Sequence, residues 1–262
     1  MSQHSTSPPR YEWRHPDPRR IASGHCVDWL AGGWRLFMAI PGVWLQQSLL
    51  FMAILFAIGV VPLIGWAVVL VAFPVLSAGM LWTAAETAAG RRPGVAGLFI
   101  GLRRHAGNLL MVGIFYLLGG LLAGLVGALV GGSAALTGYV LGALAGMGLT
   151  LGGVVLGSAV FMVLWVVLIM ALWFAPSLVL FHDVAPLEAM RLSVEACIRN
   201  VLPFALMAVM LYVLIWLAML PAGLGMLVLV PVMAGAVYTS YQDVFGERPA
   251  LPEAPPATDV KD

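Results

Sequence analysis

Long uncharged apolar runs constrain this chain more than any other feature. Every Lys and Arg lies toward its two ends or in the segments near 91–104 and 191–199. The stretches between them carry no Asp, Glu, Lys, Arg or His at their centres. A bilayer core takes roughly 20 helical residues to cross. In hydrocarbon a spanning segment must satisfy its backbone internally, and continuous apolar runs of this length do so as helices. Six runs have the length: about 41–61, 66–89, 109–130, a fourth ending near Pro176, 201–220 and 226–245. The sequence therefore predicts an all-α, polytopic membrane protein of six transmembrane helices, arranged as three hairpins with interfacial amphipathic helices. Composition agrees, because only 10% of the residues are charged where a soluble domain carries about 25%.

The positions of the charges give an orientation. The turns near 62–65, 131–140 and 221–225 have no Lys or Arg. By the positive-inside rule both termini are expected in the cytoplasm of a bacterial inner membrane. Residues 1–22 and 247–262 are polar and Pro-rich and read as disordered cytoplasmic tails on either side of a transmembrane domain over 23–246. Residues 1–20 have no apolar core, so no secretory signal is expected. The net charge of +1 gives no footprint for nucleic acid. Cys26 and Cys197 both fall in cytoplasmic segments and are expected as free thiols.

Three segments look amphipathic. Residues 23–38 place Val27, Leu30, Trp34 and Phe37 at helical spacing, with Ser23 as N-cap. Residues 94–107 form a second, after which Asn108 is expected to cap the third span. Residues 186–199 form the clearest, with Leu187, Met190, Val194, Cys197 and Ile198 in one stripe and charged pairs on the opposite face. Residues 132–147 exceed what a tight turn needs. They extend the fourth helix, form a re-entrant segment, or make a seventh element. Trp34, Trp82 and Trp173 on one side, and Trp66 and Trp216 on the other, match aromatic belts.

One stretch occurs twice. The stretch over 74–93 returns at 231–249, and from Gly79 and Gly235 onward the two align without a gap, pairing Thr83 with Thr239, Gly90 with Gly246, and Pro93 with Pro249. Gly79 and Thr83, like Gly235 and Thr239, are expected to pack closely against neighbouring helices. The central hairpin adds glycines four apart, including Gly120 with Gly124 and Gly148 with Gly152. These serve ordinary packing, a seam between copies of the chain, or a thin pore wall. The repeat ends in polar residues, so Glu86, Gln242 and Asp243 form a candidate cytoplasmic cluster, extended by His182 and Asp183. No catalytic motif, metal-ligand spacing or cofactor fingerprint is present, and none of these is expected. The lack of ionisable groups at mid-span argues against coupled transport.

The segment over 175–204, APSLVLFHDVAPLEAMRLSVEACIRNVLPF, resembles a group of uncharacterised bacterial multi-pass inner-membrane proteins. The likeness rests on Pro186, Glu188, Ala189, Ser193 and Asn200. It extends to GGWRLFMAIPGVW and GRRPGVAGLFIGLRRH, and so to about residues 23–246. The membrane domain attached to some glycerophosphodiester phosphodiesterases is similar. The resemblance implies a membrane protein of unknown function and supplies no catalytic residues. The leading expectation is a non-enzymatic scaffold or accessory protein in contact with lipid, with a membrane or cytoplasmic protein partner or a second copy. The alternative is a transporter, channel or lipid-handling protein. A hollow or polar axis would favour the alternative, and a solid interior the scaffold.

Overall fold

The computed structural model describes residues 17–62, 64–141 and 145–246, the last of these without the side chains of 145–148. The predicted tails over 1–16 and 247–262 lie outside the described residues. The elements are α1 (His25–Ala39), α2 (Pro41–Gly59), α3 (Gly65–Ala88), a 3₁₀ turn (Val95–Phe99) leading into α4 (Ile100–Arg104), α5 (Ala106–Leu141), α6 (Ala145–His182), α7 (Pro186–Arg199), α8 (Val201–Met219) and α9 (Met226–Phe245). There is no strand among the described residues. Five helices are long and apolar enough to cross a membrane: α2, α3, α5, α6 and α8. α9 has 20 residues, but its second half carries Tyr238, Thr239, Ser240, Tyr241, Gln242 and Asp243.

α5 and α6 run much further than predicted. They contain 36 and 38 residues, about 54 and 57 Å at 1.5 Å per residue. Residues 132–147 are shared between the end of α5 and the start of α6, with 142–144 outside the described residues. Ser133 and Thr137 return their hydroxyls to carbonyls one turn back, on Val130 and Ser133. Their polarity therefore does not stop the helix.

Both predicted caps are corrected. Asn108 lies inside α5, because the helix already begins at Ala106 and Leu109 N–H donates to His105 O at 3.0 Å. Gly24, not Ser23, stands at the start of α1, with no side-chain cap.

The amphipathic segments do not lie free. Each packs along another helix, reaching Val75 in α3, Met170 in α6 and Val232 in α9. The 3₁₀ turn and α4 pack on α3, α7 on α6, and α1 on α9. Glycine makes two of these contacts. A Cβ on Gly79 would stand 1.9 Å from Leu98 O, and one on Gly33 would stand 2.2 Å from Val232 O. Gly97 fits against Trp82 and Thr83, and Gly32 against Thr239. In α7 a serine takes that place: Ser193 Oγ accepts from Phe174 N–H at 2.9 Å and donates to Met170 O at 2.5 Å.

The close approach in α1 also rotates its stripe away from the predicted one. Cys26, Trp29, Leu30, Gly33 and Phe37 turn inward, while Val27 and Trp34 are exposed.

α1 precedes α2 in sequence yet packs on α9, so the chain's beginning closes against its end. Residues 17–22, predicted to belong to the tail, are held there. Arg19 N–H donates to Val244 O at 3.0 Å. Asn200 accepts from Ile21 N–H at 2.7 Å and donates to Arg19 O at 2.8 Å. The core beneath includes the fully buried Trp44, Leu98, Leu109, Phe174, Leu178 and Val244.

Two glycine substitutions distinguish a real contact from an open face. Gly79→Val should lower stability by about 1–3 kcal/mol or more, since Leu98 O is rigid backbone. Gly124→Ala should cost nothing measurable, because nothing lies within 4 Å of the added methyl. Thermal melting of both purified variants in detergent checks this.

Candidate functional site

The polar residues of the repeat gather near the ends of α3, α6 and α9, but each takes a partner of its own. Glu86, in the last turn of α3, is chelated by the Arg91 guanidinium, whose Nη2 reaches Oε1 at 2.7 Å. Gly90, at φ 75, turns the chain back and makes this pairing reachable.

On α9, adjacent residues face different ways. Gln242 Nε2 donates to Tyr238 O–H at 2.8 Å. Asp243 Oδ2 accepts from Trp29 Nε1 at 2.9 Å and meets His25 Nδ1 at 2.8 Å. Successive helical residues diverge by about 100°, the angle set by 3.6 residues per turn. Asp243 therefore anchors the start of α1 while Gln242 does not. Asp183, at φ 51, lies 3.2 Å from His105 Nδ1. The His182 ring centroid is 5.9 Å from that of Tyr241.

The five residues thus form local pairs with distinct partners. Asp243 joins α9 to α1, and Asp183 joins the α6–α7 link to the residue before α5. The arrangement fastens the seated segments to the long helices. No group of three or more His, Cys, Asp or Glu able to hold a metal occurs among the described residues. Cys26 and Cys197 are free and buried. Burial pushes the Cys197 thiol up to about 12, so at neutral pH it is a poor nucleophile.

The glycines of the repeat and of the central pair behave differently. Gly79 and Gly235 are both in close contact, and Thr83 and Thr239 each donate back to them, at 3.1 and 2.6 Å. Between α5 and α6 the crossing is made by Gly127, Gly131, Gly153 and Gly157. A Cβ on Gly120 would stand 3.2 Å from the Trp165 ring, while Gly124 and Gly152 face open space. The side of Gly148 lies outside the described residues.

Sequence reasoning missed Gln47. It is fully buried in α2, and its amide donates to Thr83 Oγ1 at 2.9 Å and reaches Gly94 O at 3.3 Å. It ties α2, α3 and the following turn together. The available signal was a Gln-Gln-Ser triplet inside an otherwise apolar run.

An apolar cavity of about 360 Å³ lies among α2, α3, α6 and α9. Trp173, predicted for an aromatic belt, lines it, whereas Trp34, Trp66 and Trp216 are exposed as a belt requires.

No family model matches the chain, and no solved structure matches it. The chain is 26% identical over 256 residues to a protein of Burkholderia thailandensis named a probable inner membrane protein, covering 88% of this chain and 95% of that one. Five apolar helices long enough to cross a membrane among the described residues mark this chain as a multi-pass membrane protein, in keeping with the name of that relative.

Two measurements probe the fastening role. Asp243→Ala should cost about 1–3 kcal/mol, because it leaves the buried Trp29 N–H without an acceptor, and thermal melting reads it. Maleimide at pH 7 should label Cys197 slowly in the folded protein and fast in denaturant, followed by mass spectrometry of a Cys26→Ala variant.

Proposed function

We propose that the protein is a non-enzymatic scaffold or accessory protein of the inner membrane. In this reading it has six spans, both termini are cytoplasmic, and its working surface is the cytoplasmic layer. The observation that carries the proposal is the packing of all three amphipathic segments against α3, α6 and α9. That arrangement gathers Arg91, Arg92, Arg103, Arg104, Arg191 and Arg199 into the same layer. The turns after α2 and α8 carry no charge, which fits the opposite side of the membrane. α9 serves as the sixth span; it is the least apolar because its last turns sit inside the layer.

The interior supports the same reading. Its fully buried side chains are mostly apolar; Thr83 and Ser193 bond locally, while Gln47 Oε1 and the hydroxyls of Ser48 and Ser177 are enclosed without a protein partner. Such packing offers no route for an ion or hydrophilic solute. Leu102, Leu187 and Ile198 are exposed among the charges of the layer, a mixture suited to a protein partner.

Two experiments test the proposal. Reporter fusions after Pro62 and Ala222 should show no cytoplasmic activity; cytoplasmic activity at either site overturns the topology. Photo-crosslinkers at Leu187 and Ile198 should give a defined protein adduct in cells, with only lipid adducts at Leu122, exposed midway along α5. Solute release from proteoliposomes faster than from empty vesicles would replace the scaffold with a channel or transporter.

A further inference from the structure

We propose that the cavity among α2, α3, α6 and α9 is a binding site for one acyl chain of a membrane phospholipid. The site begins with three prolines. Pro74, Pro176 and Pro231 lie inside α3, α6 and α9. An interior proline removes a backbone donor and bends its helix away from straight packing. All three breaks border the same space: Phe73 precedes Pro74, Pro176 is itself in the wall, and Val230 precedes Pro231. The cavity therefore lies where three proline-bearing helices come together.

Its chemistry selects the occupant. No charged residue lines it, and the walls are side chains such as Phe51, Met80, Trp173, Met233 and Val237. The one hydroxyl in the lining, on Ser77, is already donated to Pro74 O at 3.0 Å. A hydrophilic solute would lose its hydration here and find at most one free donor in the wall, the buried Trp173 Nε1–H. A hydrocarbon chain loses nothing and restores the dispersion contacts that an empty void forfeits. At about 360 Å³ the space falls within the roughly 300–1,000 Å³ of sites that bury a small ligand.

The mouth identifies the source. Of the wall residues, Phe73 and Ile169 are the exposed ones, at 37% and 42%. Both sit mid-helix, on membrane-crossing stretches without charge. Phe51 and Phe73 meet edge to face with centroids 5.9 Å apart. The opening therefore faces sideways into the hydrocarbon of the bilayer, where phospholipid chains are the surrounding solvent.

The full chain, purified in mild detergent and examined by native mass spectrometry, should retain one phospholipid per chain after detergent washing. Ala234→Phe places a ring into the cavity from its wall. It should reduce that retention at least tenfold while the protein still melts cooperatively; if this variant fails to fold, Ser77→Leu takes its place. In vesicles of phosphatidylcholine brominated on its acyl chains, the tryptophan fluorescence lost in Trp173→Phe should be quenched in the unsubstituted protein and protected in the filled variant. Absence of any retained lipid, equal retention in the filled variant, or retention of an isoprenoid or detergent in place of phospholipid would each overturn the proposal. The outcome is independent of the scaffold reading, which solute flux and crosslinking decide separately.

Discussion

Close backbone approach at small residues is the interaction on which the rest of this structure depends. In lipid there is no hydrophobic force to press one apolar helix against another, so association relies on packing contacts and hydrogen bonds. α1 meets α9 because Gly33 and Gly235 let two backbones nearly touch, and the 3₁₀ turn meets α3 because Gly79 opens a place for Leu98. Once these contacts form, hydrogen bonds that would otherwise be out of reach become available. Asp243 reaches His25 and Trp29, and Thr239 reaches Trp29 O at 3.2 Å. Thr83 comes within reach of Gln47. Packing sets the distance, and the polar groups then fix the register.

The same economy explains why the polar residues at the helix ends do not converge. A carboxylate near the edge of a bilayer is stabilised by any nearby cation or donor, and each one here has such a partner within its own stretch of surface. Glu86 takes Arg91, Asp183 takes His105, and Asp243 takes α1. Groups neutralised in this way brace the structure instead of forming a reactive constellation. The apolar cavity lies deeper, beside the prolines of α3, α6 and α9.

Much of this was legible in the residues. The limits of α2, α3, α8 and α9 follow from where apolar runs meet Pro, Gly and charge, and fall close to the predicted bounds. The repeat singled out Gly79 with Thr83 and Gly235 with Thr239, and a Cβ on either glycine would stand within 3 Å of a neighbouring backbone. The lengths of α5 and α6 were not legible. Between Gly131 and Ala145 the chain offers glycine, serine and threonine, which end helices in water. In an apolar setting the hydroxyls bond back to the preceding turn and the helix continues. Asn108 and Ser23 misled for a related reason: cap preferences are local, and here the starting points of α1 and α5 are set by the packing of their neighbours.

The sequence by itself determined the solvent, the helical class and the segments that carry charge, because these depend on composition within about twenty consecutive residues. Only the tertiary structure decided that α1 belongs to α9, that residues 17–22 are held by Asn200, and that Gln47 is a buried tie. Those partners lie 36 to 218 residues apart in the chain, and no local pattern encodes a meeting at such separation. The cavity has the same origin, since three prolines on three helices mark one place only after the helices are brought together.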